Sequence, residues 1–434
     1  MRTLDPALDP ETAFATLRRP GMASLFFDGR GGHDGAWPCR LALGTRETLR
    51  LRPAAAKRQG AIDPLDTILA RRRAAGGPGG TGVAVLCAYE AFAPRPRSNE
   101  NAWEVLALEV DAAIAFPHGS PPVAVGNADE IERAARRLEA RPVPPAPGPV
   151  TALASGRPRT SLGREAYLRA VSRVQELIGR GDVYQANLTQ RFEAPFAGDP
   201  WRLYLALAAA TPAPRSAYLE LPGLALASVS PEVFVDVDGA GRAETRPIKG
   251  TRARDANPAL DAAAAAELLG SPKDRAELVM IVDVLRNDLG RVARTGSVAV
   301  PELLALRSYA AVHHLVARVV AELPEGLRLG ALLPAILPGG SITGAPKQRA
   351  IELLREIEPC PRGLYTGSLF WLDDDGSMAS SILIRSAIVG GGQVRIGAGG
   401  GVVADSVPEA EWLEANAKAR ALTRVLGFDP EEAA

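Results

Sequence analysis

Apolar residues follow two patterns along the 434-residue chain, short continuous runs and helical stripes. Continuous runs bounded by glycine or charged residues predict buried strands. Two such runs lie in the first third, GVAVLCAYEAF from residue 82 and VLALEVDAAIAF from residue 105. Five more follow: ANLTQRF (186–192), LALASVS (224–230), VFVDVD (233–238), SILIRSAIV (381–389) and QVRIGAG (393–399).

Helices are predicted where apolar residues recur at helical spacing. The segments are 131–140, 165–178, 273–289 and 409–426, and an oligo-alanine run at 262–266 has high helix propensity. Within 273–289 the buried stripe is Leu278, Ile281, Leu285 and Leu289. Strands and helices do not alternate regularly, so the sequence predicts an α+β fold rather than a doubly wound parallel sheet.

A proline-rich segment divides the chain. Five prolines within residues 141–150 stiffen the backbone and prevent a regular helix. We therefore predict an N-terminal part at 1–140, a connection at 141–160 and a larger part at 161–428.

Composition excludes several classes of protein. Lys plus Arg and Asp plus Glu both number 50, and this balance argues against nucleic-acid binding or a polybasic membrane surface. Cys39, Cys87 and Cys360 form no CxxC pair, which argues against a disulfide scaffold or a thiolate zinc site. The first residues are acidic where a signal peptide is apolar, and no run of ~18 apolar residues occurs. We expect a cytoplasmic protein.

Two glycine-rich motifs resemble phosphate-binding loops but lack required positions. GGSITGAPK (339–347) places Ala-Pro between its second glycine and the lysine, so it is not a P-loop. GAGGGVV (397–403) has Val402 where a dinucleotide fingerprint needs its third glycine. Backbone N–H groups of such glycine-rich segments could still approach a carboxylate.

Charged side chains gather in the same stretch of the chain. Carboxylates recur at helical spacing in 273–289 and 409–426, and single cations lie in PIKGT and in the apolar run 381–389. The set is Lys249, Glu277, Arg385, Glu411, Glu414 and Lys418. The four histidines do not have the spacing of transition-metal ligands. Mg²⁺ is usually held by one or two carboxylates, and this set of residues contains such carboxylates.

The part after the proline-rich segment resembles the chorismate-utilising enzymes. The matching blocks occur in the family's order: SPEVF (230–234), PIKGTRAR (247–254), SPKDRAELVMIVDVLRNDLGRV (271–292), HHLV (313–316), PGGSITGAPKQRA (338–350), RGLYTGSLFW (362–371), ILIRS (382–386) and GAGGGVVADSVPEAEWLE (397–414). Residues 1–140 match more weakly, as the family's variable lobe. The resemblance implies a two-lobed α+β fold whose β-rich core, two packed sheets with helices outside, uses strands from both sides of the proline-rich segment.

The resemblance also implies roles for single residues. Glu277 and Glu414 resemble the family's Mg²⁺ ligands, with Glu411 a further candidate close by. Arg385 and Tyr365 resemble the groups that hold the substrate's carboxylates. The remaining candidates are the active-site histidine His314, the pocket-lining hydroxyl of Thr343, the backbone of Gly399, Gly400 and Gly401, and Lys418 as a substrate-binding cation.

Two positions distinguish branches of the family. Isochorismate- and salicylate-forming members carry a lysine where this chain has Gln185. Anthranilate synthase large subunits read Pro-Ile-Ala-Gly-Thr, whereas Lys249 is typical of the aminodeoxychorismate synthases. Ser386, Leu278, Ala415 and Ala417 also depart from the usual pattern, but they remove neither a ligand nor Lys249.

The implied reaction is a Mg²⁺-dependent amination of chorismate at C4 to 4-amino-4-deoxychorismate, in para-aminobenzoate and folate biosynthesis. Lys249 is the implied nucleophile, which neighbouring cations such as Arg252 would help to keep neutral. Ammonia would come from a separate glutamine amidotransferase subunit, because no cysteine of this chain lies in a glutaminase setting. Two alternatives stay open: an anthranilate synthase large subunit, and a non-catalytic chorismate-binding subunit.

Overall fold

The computed structural model describes residues 1–29, 37, 39–52, 60–75, 80–93, 104–140, 156–309 and 312–433. Its helices are α1 (Pro10–Leu17), α2 (Asp63–Ala74), α3 (Ala128–Ala140), α4 (Arg164–Gly179), α5 (Pro200–Ala210), α6 (Pro258–Gly270), α7 (Pro272–Gly290), α8 (Leu329–Ile336), α9 (Lys347–Ile357) and α10 (Pro408–Thr423). Short 3₁₀ turns lie at Tyr89–Ala91, Gly340–Ile342 and Pro430–Glu432.

The strands alternate with these helices without a regular order. They are β1 (Arg2–Thr3), β2 (Ser24–Asp28), β3 (Arg40–Leu51), β4 (Gly82–Cys87), β5 (Val105–Ala115), β6 (Val123–Gly126), β7 (Arg159–Thr160), β8 (Gln185–Pro195), β9 (Arg215–Leu221), β10 (Leu224–Ser230), β11 (Asp236–Val237), β12 (Arg242–Thr245), β13 (Ile248–Ala253), β14 (Ala299–Ser308), β15 (Val312–Glu322), β16 (Gly344–Ala345), β17 (Ser368–Asp373), β18 (Met378–Ile382), β19 (Ser386–Gly390) and β20 (Gln393–Val402).

The described strands form one continuous antiparallel sheet. Its order runs β8, β20, β19, β10, β9, β2, β3, β5, β4, β17, β18, β11, β12 and β15. Short strands branch from β8 and from β5, and both β13 and β14 pair with β15. The pairs β2–β9 and β4–β17 join segments from before and after the proline-rich connection, so both parts of the chain build one core.

The core lies between two halves of this sheet. Alternate residues of the central strands, such as Leu86 of β4 and Leu219 of β9, meet in one inner cluster. The residues between them face outward, where Val85 packs with α2, α7 and α8, and Tyr218 packs with α1, α3 and α5. The period-2 alternation of strand side chains produces these layers. The predicted α+β fold, with packed β layers inside and helices outside, is confirmed.

Two helices that carry site residues are defined by local sequence. The Ser271 hydroxyl caps α7 by accepting a hydrogen bond from the Asp274 N–H at 3.3 Å, and Pro272 occupies the first turn. The predicted stripe from Leu278 to Leu289 is buried against the sheet. In α10, Pro408 begins the helix, and its apolar face packs on β8 and β20. Both helices confirm the predicted segments.

The sequence prediction is wrong over part of three strands. GVAVLCAYEAF forms strand only at Gly82–Cys87, and Tyr89–Ala91 form a 3₁₀ turn. VFVDVD forms strand only at Asp236–Val237. SILIRSAIV is interrupted at 383–385, where Arg385 adopts a left-handed φ of +48° between β18 and β19. Left-handed backbone is rare for a residue other than glycine, and it turns the chain out of the ladder.

Most of the predicted connection at 141–160 lies outside the described residues, so the proposed division into parts stays a prediction. None of the described helices combines the length and the apolar character needed to cross a membrane.

Candidate active site

Lys249 lies where β13 departs from regular pairing. It pairs with Leu315 of β15, and the register shifts between Lys249 and Thr251. Gly250 between them has a φ of +69°, and a Cβ at this position would lie 2.6 Å from the Leu268 side chain. A bulge of this kind redirects the neighbouring side chain. Lys249 is half-buried, and its positive charge acts on Glu232, Glu277 and Glu414.

Carboxylates and lysines from α7 and α10 meet beside this strand. Lys418 Nζ lies 2.7 Å from Glu414 Oε1 and donates to the Gly399 carbonyl at 3.1 Å. Lys273 Nζ lies 3.6 Å from Glu411 Oε1 and 4.0 Å from Glu277 Oε1, so it bridges the two helices. The structure thus brings Glu277, Glu411, Glu414 and Lys418 together, as predicted from sequence.

The pKa values of Glu277 and Glu414 are shifted in opposite directions. Burial raises the pKa of Glu277, and the negative charge of Glu414 adds to this rise, while the lysines reduce it. Burial also acts to raise the pKa of Glu414, but the charges of Lys418, Lys273 and Lys249 outweigh it and the pKa is lowered. The negative charge of Glu414 disfavours ionisation of Glu277, and a positive charge near both carboxylates would relieve this repulsion.

His314 lies on β15 opposite Thr251, whereas Lys249 pairs with the following residue, Leu315. The Thr251 hydroxyl lies 3.0 Å from His314 Nδ1, and the Gly250 carbonyl lies 3.3 Å from the same nitrogen. Burial lowers the pKa of His314, and the charge of Arg385 lowers it further. Arg385 itself is half-buried, and burial lowers its pKa. A strained backbone that persists at a buried arginine is typical of a functional site.

Tyr365 and Thr343 occupy loops around this centre. The Tyr365 ring lies against β20, and a Cβ at Gly397 would lie 2.2 Å from it. The loop after Tyr365 pairs with Leu383, which brings Tyr365 and Arg385 onto adjoining segments. The Thr343 hydroxyl is fully buried and donates to the Gly339 carbonyl at 2.9 Å, so its hydrogen is used within its own loop.

The glycines at 397–401 lie in strand β20 and not in a loop. A Cβ at Gly400 would point toward α10, where it would lie 3.2 Å from Glu411 Oε2 and 3.6 Å from Glu414 Oε1. A Cβ at Gly401 would overlap the Gln185 side chain. Because these glycines have no side chains, β20 leaves room for Tyr365, Gln185 and the carboxylates of α10.

Three further residues of the site were not among the candidate site residues from sequence. Glu232, in SPEVF, accepts a hydrogen bond from Ser341 at 2.6 Å, and burial raises its pKa while Lys249 and Lys418 oppose the rise. Lys273 bridges α7 and α10. Gln185 is 2% exposed, and within the described structure neither its amide oxygen nor its nitrogen has a partner. Glu232 and Lys273 lie in segments that match the family, so the matching blocks were the signal for both, and Gln185 entered only as the residue that replaces a lysine of other branches.

Arg252, expected beside Lys249, is directed elsewhere. Its guanidinium pairs with Glu267 and lies 3.1 Å from Asp274 Oδ2. Its positive charge is therefore balanced by the carboxylates of Glu267 on α6 and Asp274 on α7.

The donor set can be compared with what Mg²⁺ requires. Within the described residues, no group of three or more His, Cys, Asp or Glu side chains is arranged to hold a metal ion by itself. Mg²⁺ is usually bound by one or two carboxylates, with water and substrate oxygens in its other positions. Glu277 and Glu414 offer two neighbouring carboxylates, and the negative charge of Glu414 contributes to the raised pKa of Glu277. Their chemistry fits Mg²⁺ that is bound together with an anionic substrate.

Comparisons with known proteins identify the family of the chain. The sequence model described as chorismate binding enzyme matches residues 24–424. Aminodeoxychorismate synthase component 1 of Escherichia coli is 49% identical over 256 residues, which cover 59% of this chain and 56% of that protein. Anthranilate synthase component 1 of Geobacillus stearothermophilus is 44% identical over 259 residues, 60% of this chain and 51% of that protein. The matches thus span little more than half the length of these relatives.

A solved structure shares the whole fold. Anthranilate synthase component I from Streptococcus pneumoniae superposes with a TM-score of 0.77 over 98% of this chain and 99% of that chain, at 24% identity. The two proteins share the antiparallel core beside which the charged residues of the site lie. The chain belongs to the chorismate binding enzyme family, because the family match extends over most of its length.

Proposed function

We propose that this chain is the chorismate-aminating subunit of an aminodeoxychorismate synthase. It converts chorismate and ammonia to 4-amino-4-deoxychorismate, a step toward para-aminobenzoate and folate, with Mg²⁺ as cofactor. The observation that carries the proposal is Lys249, a half-buried lysine at a bulge, whose positive charge acts to lower the pKa values of Glu277 and Glu414.

The cations of the site suit a dianionic substrate. Arg385 offers a planar guanidinium that can bind one carboxylate through two hydrogen bonds. Lys418 and the backbone of β20 lie beside Glu414, and Tyr365 is on the segment adjoining Arg385. Mg²⁺ held by Glu277 and Glu414 would neutralise the ring carboxylate and polarise it as charge develops. Chorismate therefore binds with its two carboxylates separated between these two ends of the site.

Lys249 acts as the nucleophile in its neutral form. Its Nζ forms a bond to C2, the two ring double bonds shift, and the C4–oxygen bond breaks, so that the 4-hydroxyl leaves as water after taking up a proton. Ammonia then attacks C4, the double bonds shift back, and the C2–Nζ bond breaks. The product keeps the enolpyruvyl group and gains the amine, and Lys249 is regenerated.

Glu232 is placed to exchange the protons of these steps. Burial raises the pKa of the Glu232 carboxyl, and the positive charge of Lys249 opposes the rise, so Glu232 takes up a proton more readily than an exposed glutamate does. The Ser341 hydroxyl holds it in place. His314, with a lowered pKa, stays neutral and can hydrogen-bond the departing hydroxyl.

Ammonia is proposed to come from a separate glutaminase subunit. Among the three cysteines, Cys87 lies inside strand β4, where burial raises the pKa of its thiol. Such a thiol is unsuited to nucleophilic catalysis.

Anthranilate synthesis is the second candidate, favoured by the similarity to anthranilate synthases. In that reaction ammonia attacks C2 directly, and the position of Lys249 needs no nucleophile. A lysine at this position therefore distinguishes C4 amination from C2 amination.

The proposal is tested by replacing Lys249. In Lys249→Ala, formation of the 4-amino product should fall by orders of magnitude, since each ~1.4 kcal/mol of lost transition-state stabilisation is about tenfold in rate. A trace of C2-aminated product is expected instead. The control is Arg242→Ala, which removes an exposed cation from β12 and should leave turnover unchanged. Parent-level formation of the 4-amino product by Lys249→Ala would refute the role of the lysine.

A further inference from the structure

A short turn of the N-terminal segment is bonded to the loop that carries Tyr365. Glu90 Oε1 accepts a hydrogen bond from the Arg362 N–H at 2.8 Å, and Glu90 Oε2 accepts one from the Gly363 N–H at 3.1 Å. The Tyr89 N–H donates to the Gly363 carbonyl at 2.8 Å. Two residues of the turn thus bind three backbone groups at the start of this loop.

The loop has a conformation that needs outside support. Gly363 has a φ of +63° and Thr366 has a φ of +58°, so left-handed backbone flanks Tyr365 on both sides. Left-handed backbone is unfavourable for a threonine and persists only where neighbouring contacts enforce it. The Thr366 hydroxyl donates to the Tyr365 carbonyl at 2.6 Å, which ties the second bend to the tyrosine itself.

The side chain of Arg362 links this loop to the rest of the site. Its guanidinium donates to the Ile342 carbonyl at 2.8 Å and the Asn187 carbonyl at 2.6 Å, and pairs with Glu358. The guanidinium carbon lies 4.4 Å from the centre of the Tyr89 ring. Tyr89 therefore supports the side chain of the same residue whose N–H binds Glu90.

Glu90 is buried at a cost. It is 5% exposed, and burial raises its pKa to about 7, while the hydrogen bonds from Arg362 and Gly363 and the charge of Arg362 oppose the rise. A buried carboxylate is expensive unless it is well paired. Its described partners are backbone groups of the Tyr365 loop, and a lobe that needed only packing would place an apolar residue here.

We propose that Glu90 is a positioning residue for the substrate site: it fixes the loop 362–367, and through that loop it fixes Tyr365. The N-terminal segment thereby sets the affinity for one substrate carboxylate without touching the substrate. This inference rests on the proposed function, in which Tyr365 helps to hold chorismate.

A double-mutant cycle tests the link between Glu90 and Tyr365. Glu90→Gln keeps the size of the side chain, but its amide group turns a donor toward the loop N–H groups. We expect its KM for chorismate to rise by about tenfold with kcat changed less than about threefold, the pattern of lost ground-state binding. In Tyr365→Phe, which also raises KM, adding Glu90→Gln should raise KM no further, because contacts that act through one group are not additive.

The matched control is Glu109→Gln. Glu109 is a buried carboxylate of the same segment, bonded to Arg46, Arg71 and Arg72 and not to the loop. Its removal should lower the melting temperature and leave KM unchanged. The proposal would be overturned if Glu90→Gln lowered the melting temperature without raising KM. It would also be overturned if adding Glu90→Gln to Tyr365→Phe raised KM by the same factor as in the parent chain.

A second readout does not depend on turnover. Amide hydrogen exchange of residues 362–367 should be faster in Glu90→Gln than in the parent chain or in Glu109→Gln. Equal exchange would contradict the positioning role. If the parent chain fails to turn over chorismate while exchange is faster, the proposed function fails and the structural link between the turn and the loop stands.

Discussion

Gly397→Ala should damage the site through a single methyl group. Gly397 lies in β20 beneath the Tyr365 ring, and a Cβ at this position would lie 2.2 Å from two ring carbons and 2.5 Å from a third. Ordinary contact begins at 3.4 Å, so the ring must move by about 1.2 Å or the strand must shift. A misplacement of about 1 Å can cost about 10²-fold in rate, and overpacking a core costs about 1–3 kcal/mol.

We therefore expect kcat/KM for chorismate to fall by about 10–100-fold in Gly397→Ala, measured with ammonium as the amine donor. The matched control is Gly290→Ala at the end of α7, where the nearest atom to a new Cβ is 4.0 Å away. This helical change should be neutral or should stabilise the fold by about 0.5–1 kcal/mol.

The Tyr365→Ala background makes the test of Gly397→Ala specific. Once the ring is removed, the new methyl group has nothing to displace, so Gly397→Ala should cost no further activity. Parent-level kcat/KM in the single variant, or an equal loss in both backgrounds, would refute the reasoning that Gly397 makes room for Tyr365.

Four further predictions concern charge, hydrogen bonding and ammonia. Glu414→Gln should abolish chorismate turnover with unchanged circular dichroism, whereas the surface change Glu409→Gln should not; an active Glu414→Gln contradicts the ligand assignment. Gln185→Leu should raise the free energy of unfolding by about 1–3 kcal/mol and lower turnover, because a buried unpaired amide is removed; lower stability would contradict this. Burial and then Arg385 hold the pKa of His314 below 6.5, so the unfolded chain protonates first and stability falls as pH drops below about 6.5; urea titrations of His314→Asn should lack this part of the fall. The purified chain should use ammonium and not glutamine, and a glutamine-dependent product would contradict a separate glutaminase subunit.

The sequence predicts the elements of the fold better than it predicts their interruptions. Apolar periodicity located α7 and β10 to within a residue or two, because burial dictates both. The same periodicity runs through Arg385 without a break, since an arginine gives no signal of a left-handed backbone. The bend depends on contacts with other strands, as when the Val229 N–H donates to the Arg385 carbonyl at 3.0 Å.

The same distinction applies to the candidate site: sequence periodicity predicts some of its residues, and only the folded structure reveals the others. Glu411 and Glu414 share a face of α10 that the 3.6-residue period predicts, and Lys273 links Glu277 of α7 to Glu411 in the structure. Glu232 and Glu90 have hydrogen-bond partners more than 100 residues away, Ser341 and Arg362, so apolar or charge periodicity does not identify them. Thr343 was predicted as a pocket hydroxyl, but it donates within its own loop, a bond that only the folded loop shows.

The most direct test of the central claim is the product that the chain forms from chorismate, Mg²⁺ and ammonium. The product mixture is separated by liquid chromatography and identified by mass spectrometry and fluorescence, with Lys249→Ala in parallel. The account predicts 4-amino-4-deoxychorismate from the parent chain and its near-complete loss in the variant. Anthranilate as the main product of the parent chain would contradict it.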